Sequence, residues 1–171
     1  MKIAEIKIAL ARRKLLNLAS QIVAEGNFRK MGIILEAEEN DLLDPFLKLK
    51  EDLSFADEDI QILICSKKAA KNDIFEYPSV SGKDLKWNGR ISGEASVFLS
   101  TSFDVLISFT SEENKIADFL VEVSRAKLKV GRKKVDKKGI FDLNISAALA
   151  EPKVFTTELK KYLPILNTAV T

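Results

Sequence analysis

Two rhythms of apolar residues alternate along the chain: short unbroken runs, and stripes at helical spacing. Phe103–Phe109 (FDVLISF) is the clearest run, rich in strand formers and apolar on both sides, as a strand covered on two faces must be. Thr110 and Ser111 break it, and Glu112 and Glu113 then place negative charge where a helix start favours it. Ile116, Phe119, Leu120 and Val123 predict one buried stripe on the helix that follows. Leu128 and Val130 resume as a strand, closed by Gly131. Strand, amphipathic helix and strand within about thirty residues make a βαβ unit, whose crossover is almost always right-handed.

The same rhythms organise the rest. Residues 2–25 predict a long amphipathic helix with Ile3, Ile6, Leu10, Ala11, Leu18 and Ile22 on one face. Lys7, Arg12, Arg13 and Lys14 cover much of its remainder, and Gly26-Asn27 stops it. Met31–Ala37 (MGIILEA) reads as the first core strand. Residues 41–54 read as a helix burying Leu42, Phe46, Leu49 and Leu53, with Pro45 in or just after its first turn. Ile60–Cys65 (IQILIC) is the second core strand. Between 66 and 93 the pattern lapses into a lysine-rich loop, a short edge strand over Ile74–Tyr77 ended by Pro78, and a Trp87-Asn88-Gly89 turn. Trp87 is there either a lid over the core edge or a contact residue. Residues 93–101 predict a short helix carrying Val97, Phe98 and Leu99 towards the central unit, and Ile140–Ile145 alternates as a strand with one wet face. Pro152 opens a last helix with the stripe Phe155, Leu159, Tyr162, Leu163 and Leu166, kinked or ended by Pro164.

These elements predict an α/β fold: a three-layer Rossmann-like domain over residues 27–171, preceded by the basic amphipathic helix 1–26. Its mostly parallel sheet of five or six strands carries helices on both faces. The expected core includes Ile33, Ile34, Leu35, Ile62, Ile64, Val105, Ile107, Phe119, Leu120 and Val123.

Composition changes this picture only in detail. The 171 residues fit one domain, and 46% hydrophobic with 30% charged residues is ordinary for a globular protein. No run approaches the roughly twenty apolar residues of a membrane span, and Lys7, Arg12, Arg13 and Lys14 interrupt any secretory signal, so the cytoplasm is the expected location. Cys65, the one cysteine, has no partner for an internal disulfide. The net charge of +2 hides a segregation: seven Lys/Arg against two Glu in residues 1–30, ten Asp/Glu against two Lys in 36–59, and seven Lys/Arg against Asp136 in 127–138. Such segments polarise a surface and act on association, or they are solvated faces that partly neutralise one another.

The absence of histidine removes His-dependent triads, His metal sites and the commonest general base. The glycines fit neither GxGxxG nor GxxxxGK[ST]. Glu36, Glu38, Glu39 and Asp41 cluster after the first strand, as an oxygen-ligated cation site or, more simply, as a polar loop; their spacing matches no known cation loop. No catalytic residue, metal or cofactor is expected, and enzymatic activity is not. The stronger feature is the basic segment after Gly131, where Arg132, Lys133, Lys134 and Lys137 follow a strand on the ligand-binding side of the sheet. Ser111 and the helix start beside it would lie nearby, an arrangement suited to an anion or phosphate and equally to a solvated basic loop.

The turn DLKWNG (84–89), the strand FDVLISF (103–109), the segment SRAKLKVGRKKVDKKGIFDLNI (124–145) and the tail ELKKYLPILN (158–167) resemble a domain-of-unknown-function family of small Bacteroidetes proteins, over nearly the whole chain. That resemblance implies no activity. More distantly, FDVLISF followed by a helix and AKLKVG is similar to the N-terminal Rossmann-like half of heptosyltransferase-type glycosyltransferases. Those enzymes need a second such half, and where they carry a glycine-rich turn after the first strand this chain has EAEEND, so the likeness implies fold alone.

The functional expectation is a non-enzymatic binding module that meets RNA or a ribosomal surface through residues 7–14 and 127–138. A protein partner is a further possibility, and peripheral membrane contact by the N-terminal helix a weaker one. The rivals are a nucleotide- or sugar-phosphate-binding half-domain with Ser111 and Arg132 on the phosphate, and a structural subunit docking through its N-terminal helix.

Overall fold

The computed structural model describes residues 28–66, 75–84, 91, 93–132, 136 and 139–168. The N-terminal helix expected over 1–26, the Trp87 turn, and the side chains of Lys7, Arg12, Arg13, Lys14, Lys133, Lys134 and Lys137 lie outside the described residues.

Six strands form one sheet: β1 (Met31–Leu35), β2 (Ile60–Cys65), β3 (Ser79–Val80), β4 (Val105–Phe109), β5 (Leu128–Gly131) and β6 (Leu143–Asn144). Their order is β3-β2-β1-β4-β5-β6, and every pairing is parallel. The four apolar runs near residues 33, 62, 105 and 129 are thus adjacent, with Ile33 opposite both Ile62 and Ile107, and Ile107 opposite Val130. Among the described residues there are four helices: α1 (Asn40–Asp52), α2 (Glu94–Ser100), α3 (Lys115–Val123) and α4 (Pro152–Thr168).

Strand alternation divides the apolar side chains between two faces. Met31, Ile33, Leu35, Ile62, Ile64, Val105, Ile107 and Phe109 pack with α1 and α4. There the rings of Phe46, Phe109 and Phe155 meet at centroid distances of 5.0–6.1 Å. Ile34, Leu63, Cys65 and Leu106 face the other way, onto α2 and α3. Burial on both sides is why the central strands read as unbroken apolar runs.

At the amino ends of the strands, Asp104 gathers three neighbours. Its Oδ2 accepts the backbone N–H groups of Arg29 and Lys30 at 2.7 and 2.9 Å, and its Oδ1 takes the Lys127 ammonium at 2.6 Å. Burial pushes its carboxyl pKa up, but Lys127 and those two amides outweigh burial and hold it below the usual range.

Four expectations are corrected. The helix after β4 starts at Lys115, with Asn114 as its N-cap, rather than at Glu112-Glu113. Its buried stripe is accordingly Ala117, Leu120 and Val121, turned by about 100° from the expected one. Val123 is 46% exposed and Phe119 only half-buried. The edge strand follows Pro78 instead of preceding it, because the N–H groups of Glu76 and Tyr77 are held by Glu38 and Pro78 offers only its carbonyl, which accepts from Ile64 at 2.8 Å. Val97 points to solvent from α2 while Phe98 is buried. Finally, β6 pairs over two residues only, since Phe141 crosses to the opposite face from Leu143 and Ile145.

Candidate functional site

The strand order turns back between β1 and β4: the chain runs outward from β1 to β3, then restarts on β1's other side. At such a switch point the loops leaving the carboxyl ends diverge, and ligands of open α/β sheets bind in the crevice between them. The residues found there are Glu36, directly after β1, Ser111 and Asn114 after β4, and Cys65 at the end of β2.

One carboxylate dominates the crevice. Glu36 Oε1 accepts from the Ser111 backbone N–H at 2.8 Å, the Ser111 hydroxyl at 2.8 Å and Asn114 Nδ2 at 2.9 Å. Asn114 is buried, and its amide is used at both ends. Nδ2 also donates to the Cys65 carbonyl at 3.0 Å, while Oδ1 accepts from the Ala117 N–H at 3.0 Å and caps α3. The Cys65 thiol lies 3.6 Å from the same Oδ1. A single amide therefore ties the ends of β1, β2 and β4 together. Burial pushes the Cys65 thiol pKa up to about 12, so at neutral pH it is held as the neutral thiol and is a poor nucleophile.

Arg132, on the same rim, leaves β5 and turns back over the sheet. Its Nε donates to the Ala147 carbonyl at 2.8 Å and Nη1 to the Thr110 carbonyl at 2.9 Å, and the guanidinium sits 5.9 Å from the Phe109 ring centroid. Beyond it, the Asp136 carboxylate accepts the N–H groups of Ile140 and Phe141, both at 3.0 Å. The basic loop is thus fixed at Arg132 and at Asp136.

The structure brings Ser111 and Arg132 to one rim, because Thr110 both precedes Ser111 and accepts from Arg132. It does not bring Lys127 there: that side chain is at the opposite rim with Asp104, and Lys129 reaches the Glu122 carbonyl at 3.3 Å. The carboxylates after β1 do not converge either. Glu38 turns to the backbone of Glu76 and Tyr77, and among the described residues no group of three or more acidic or cysteine side chains could hold a metal ion.

Asn114 carried no site signal in the sequence beyond being among the best N-caps. Glu36 read there only as one member of a possible cation cluster, although a carboxylate where other folds place glycines was a signal. In chemical character the crevice is an anion site whose donors already face an anion belonging to the chain. A phosphate reaching Ser111 would have to displace a tethered carboxylate.

The model of a family of unknown function, DUF6913, matches residues 6–166. No curated protein and no solved structure matches the chain. No helix among the described residues is long and apolar enough to cross a membrane.

Proposed function

The chain belongs to this family of unknown function, and from that premise we propose that it is a non-enzymatic binding module for an anionic macromolecule, RNA or a ribosomal surface. The contact is the basic loop leaving β5. The observation that supports this most is the occupation of the switch-point crevice by Glu36, which leaves the usual phosphate seat of this architecture filled from within. Recognition of phosphate then falls to side chains outside the crevice. Lys133, Lys134, Lys137 and Lys138 stand in sequence beside or between Arg132, which donates to the Ala147 and Thr110 carbonyls, and Asp136, which holds the N–H groups of Ile140 and Phe141 ahead of β6.

Arg132 serves here as an anchor, since its Nε and Nη1 donate to the Ala147 and Thr110 carbonyls. The decisive variant is therefore Lys133→Glu, Lys134→Glu and Lys137→Glu combined, measured by mobility shift with labelled RNA over a salt series. Affinity should fall by more than about tenfold, and the log–log salt slope should shrink by about three, one for each phosphate contact removed. Unchanged affinity and slope in a folded variant refute the reading.

A further inference from the structure

Among the described residues, the opposite edge of the sheet carries a vacant strand position. β3 pairs only with Ile64 and Cys65, so among the described residues no strand borders Ile60–Leu63 on the side away from β1. The Ile64 N–H points to that side, where it donates to the Pro78 carbonyl. Since strand residues alternate, the N–H and C=O of Ile62 point to that side too. Just before Pro78, the Glu38 carboxylate holds the N–H groups of Glu76 and Tyr77 at the carboxyl rim.

The space alongside is a groove of about 590 Å³ between α1 and α2. Leu47 and Tyr77 form one wall, Val97 and Phe98 the other, and Val97 is 67% exposed. Its rim is acidic. Asp57 and Glu94 line it, Glu58 and Asp59 follow Asp57, Glu94 also accepts the Ser79 N–H, and Lys50, the one cation among the described lining residues, is paired with Asp57.

We propose that this groove takes an extended peptide from a protein partner, added as a strand along Ile60–Leu63. The open edge, about 13 Å at 3.3 Å per residue, supplies backbone hydrogen bonds. Alternate apolar side chains of the peptide enter between Tyr77 and Val97, and its Lys or Arg residues meet the acidic rim, so the recognised sequence is β-branched and basic. This surface is distinct from the basic loop of the proposed function and does not depend on it.

The test is a display library of random heptapeptides panned against the full chain and against Val97→Lys, a substitution at an exposed helical position. Peptides alternating apolar residues with Lys or Arg should be enriched. A fluorescent copy of the most enriched one should bind the parent at least about tenfold more tightly than the variant, the loss typical of a contact at the centre of an interface. Bound peptide should also slow hydrogen exchange at the Ile62 amide, while RNA binding of Val97→Lys stays as in the parent. The proposal is overturned if no sequence is enriched over the Val97→Lys background, if enriched peptides are acidic, or if the Ile62 amide exchanges as before. It is equally overturned if sedimentation shows a dimer that Val97→Lys dissociates, which makes the occupant a second copy. A photocrosslinker at position 97 that captures residues 1–27 of its own chain assigns the groove to that segment instead.

Discussion

The ring of Phe141 lies over Gly131 so closely that a Cβ on residue 131 would come within 2.5 Å of it. Gly131 ends β5 and Phe141 closes the basic loop, so this contact sets how the loop returns to the sheet. Gly131→Ala should lower stability by about 1–3 kcal/mol, the usual cost of overpacking. Adding Phe141→Leu should recover part of that loss. Denaturant unfolding of the four forms reads the coupling, and strict additivity would show that the ring is not what excludes a side chain.

Asp104 makes a pH prediction with a definite sign. Its folded pKa lies below the ordinary value of 3.8, so its contribution is present above about pH 4 and is lost as pH falls through the folded value. Asp104→Asn should destabilise at neutral pH by about 1.5–3 kcal/mol, the worth of hydrogen bonds to a charged group. It should also flatten the acid side of the stability profile. Thermal melts from pH 2 to 7 check both.

The opposite sign holds for Cys65. A folded pKa raised to about 12 from 9.0 gives stability that is complete below pH 9 and declines as pH rises above it. Cys65→Val should remove that alkaline decline. In the native protein at pH 8 a disulfide reagent should leave the thiol unreacted over minutes, and denaturant should release one equivalent.

The crevice offers a test of occupation by Glu36. Glu36→Ala removes the acceptor of three donors and should cost about 1–3 kcal/mol. It should also create sulfate sensitivity: millimolar sulfate raises the melting temperature of Glu36→Ala and, at constant ionic strength, leaves the parent unmoved. Asn114→Ala should be destabilised more, since it loses the α3 cap together with the ties to Glu36 and Cys65.

Legibility in the sequence followed burial. β1, β2 and β4 are packed on both faces and read as nearly continuous apolar runs, whereas β5 sets Leu128 and Val130 on one face and half-buried Lys129 on the other. β3 and β6 pair over two residues apiece, too few to impose a pattern. The phase of α3 was missed because it is fixed by one polar side chain, Asn114, whose partners include a carbonyl 49 residues away. The candidate site divides the same way. Ser111 and Arg132 fell on one rim because strand direction puts them there, but the partner of Ser111 is 75 residues distant and those of Arg132 are backbone carbonyls, which carry no side-chain signature.

A domain whose phosphate seat stands open is stabilised by whatever metabolite fills it, by about 2.7 kcal/mol at a hundredfold excess over the dissociation constant. Glu36, covalently part of the chain, supplies that anion at an effective concentration no starvation can dilute. Folding of this domain should thereby be uncoupled from the nucleotide pool, and its abundance in a cell should hold steady when energy charge collapses.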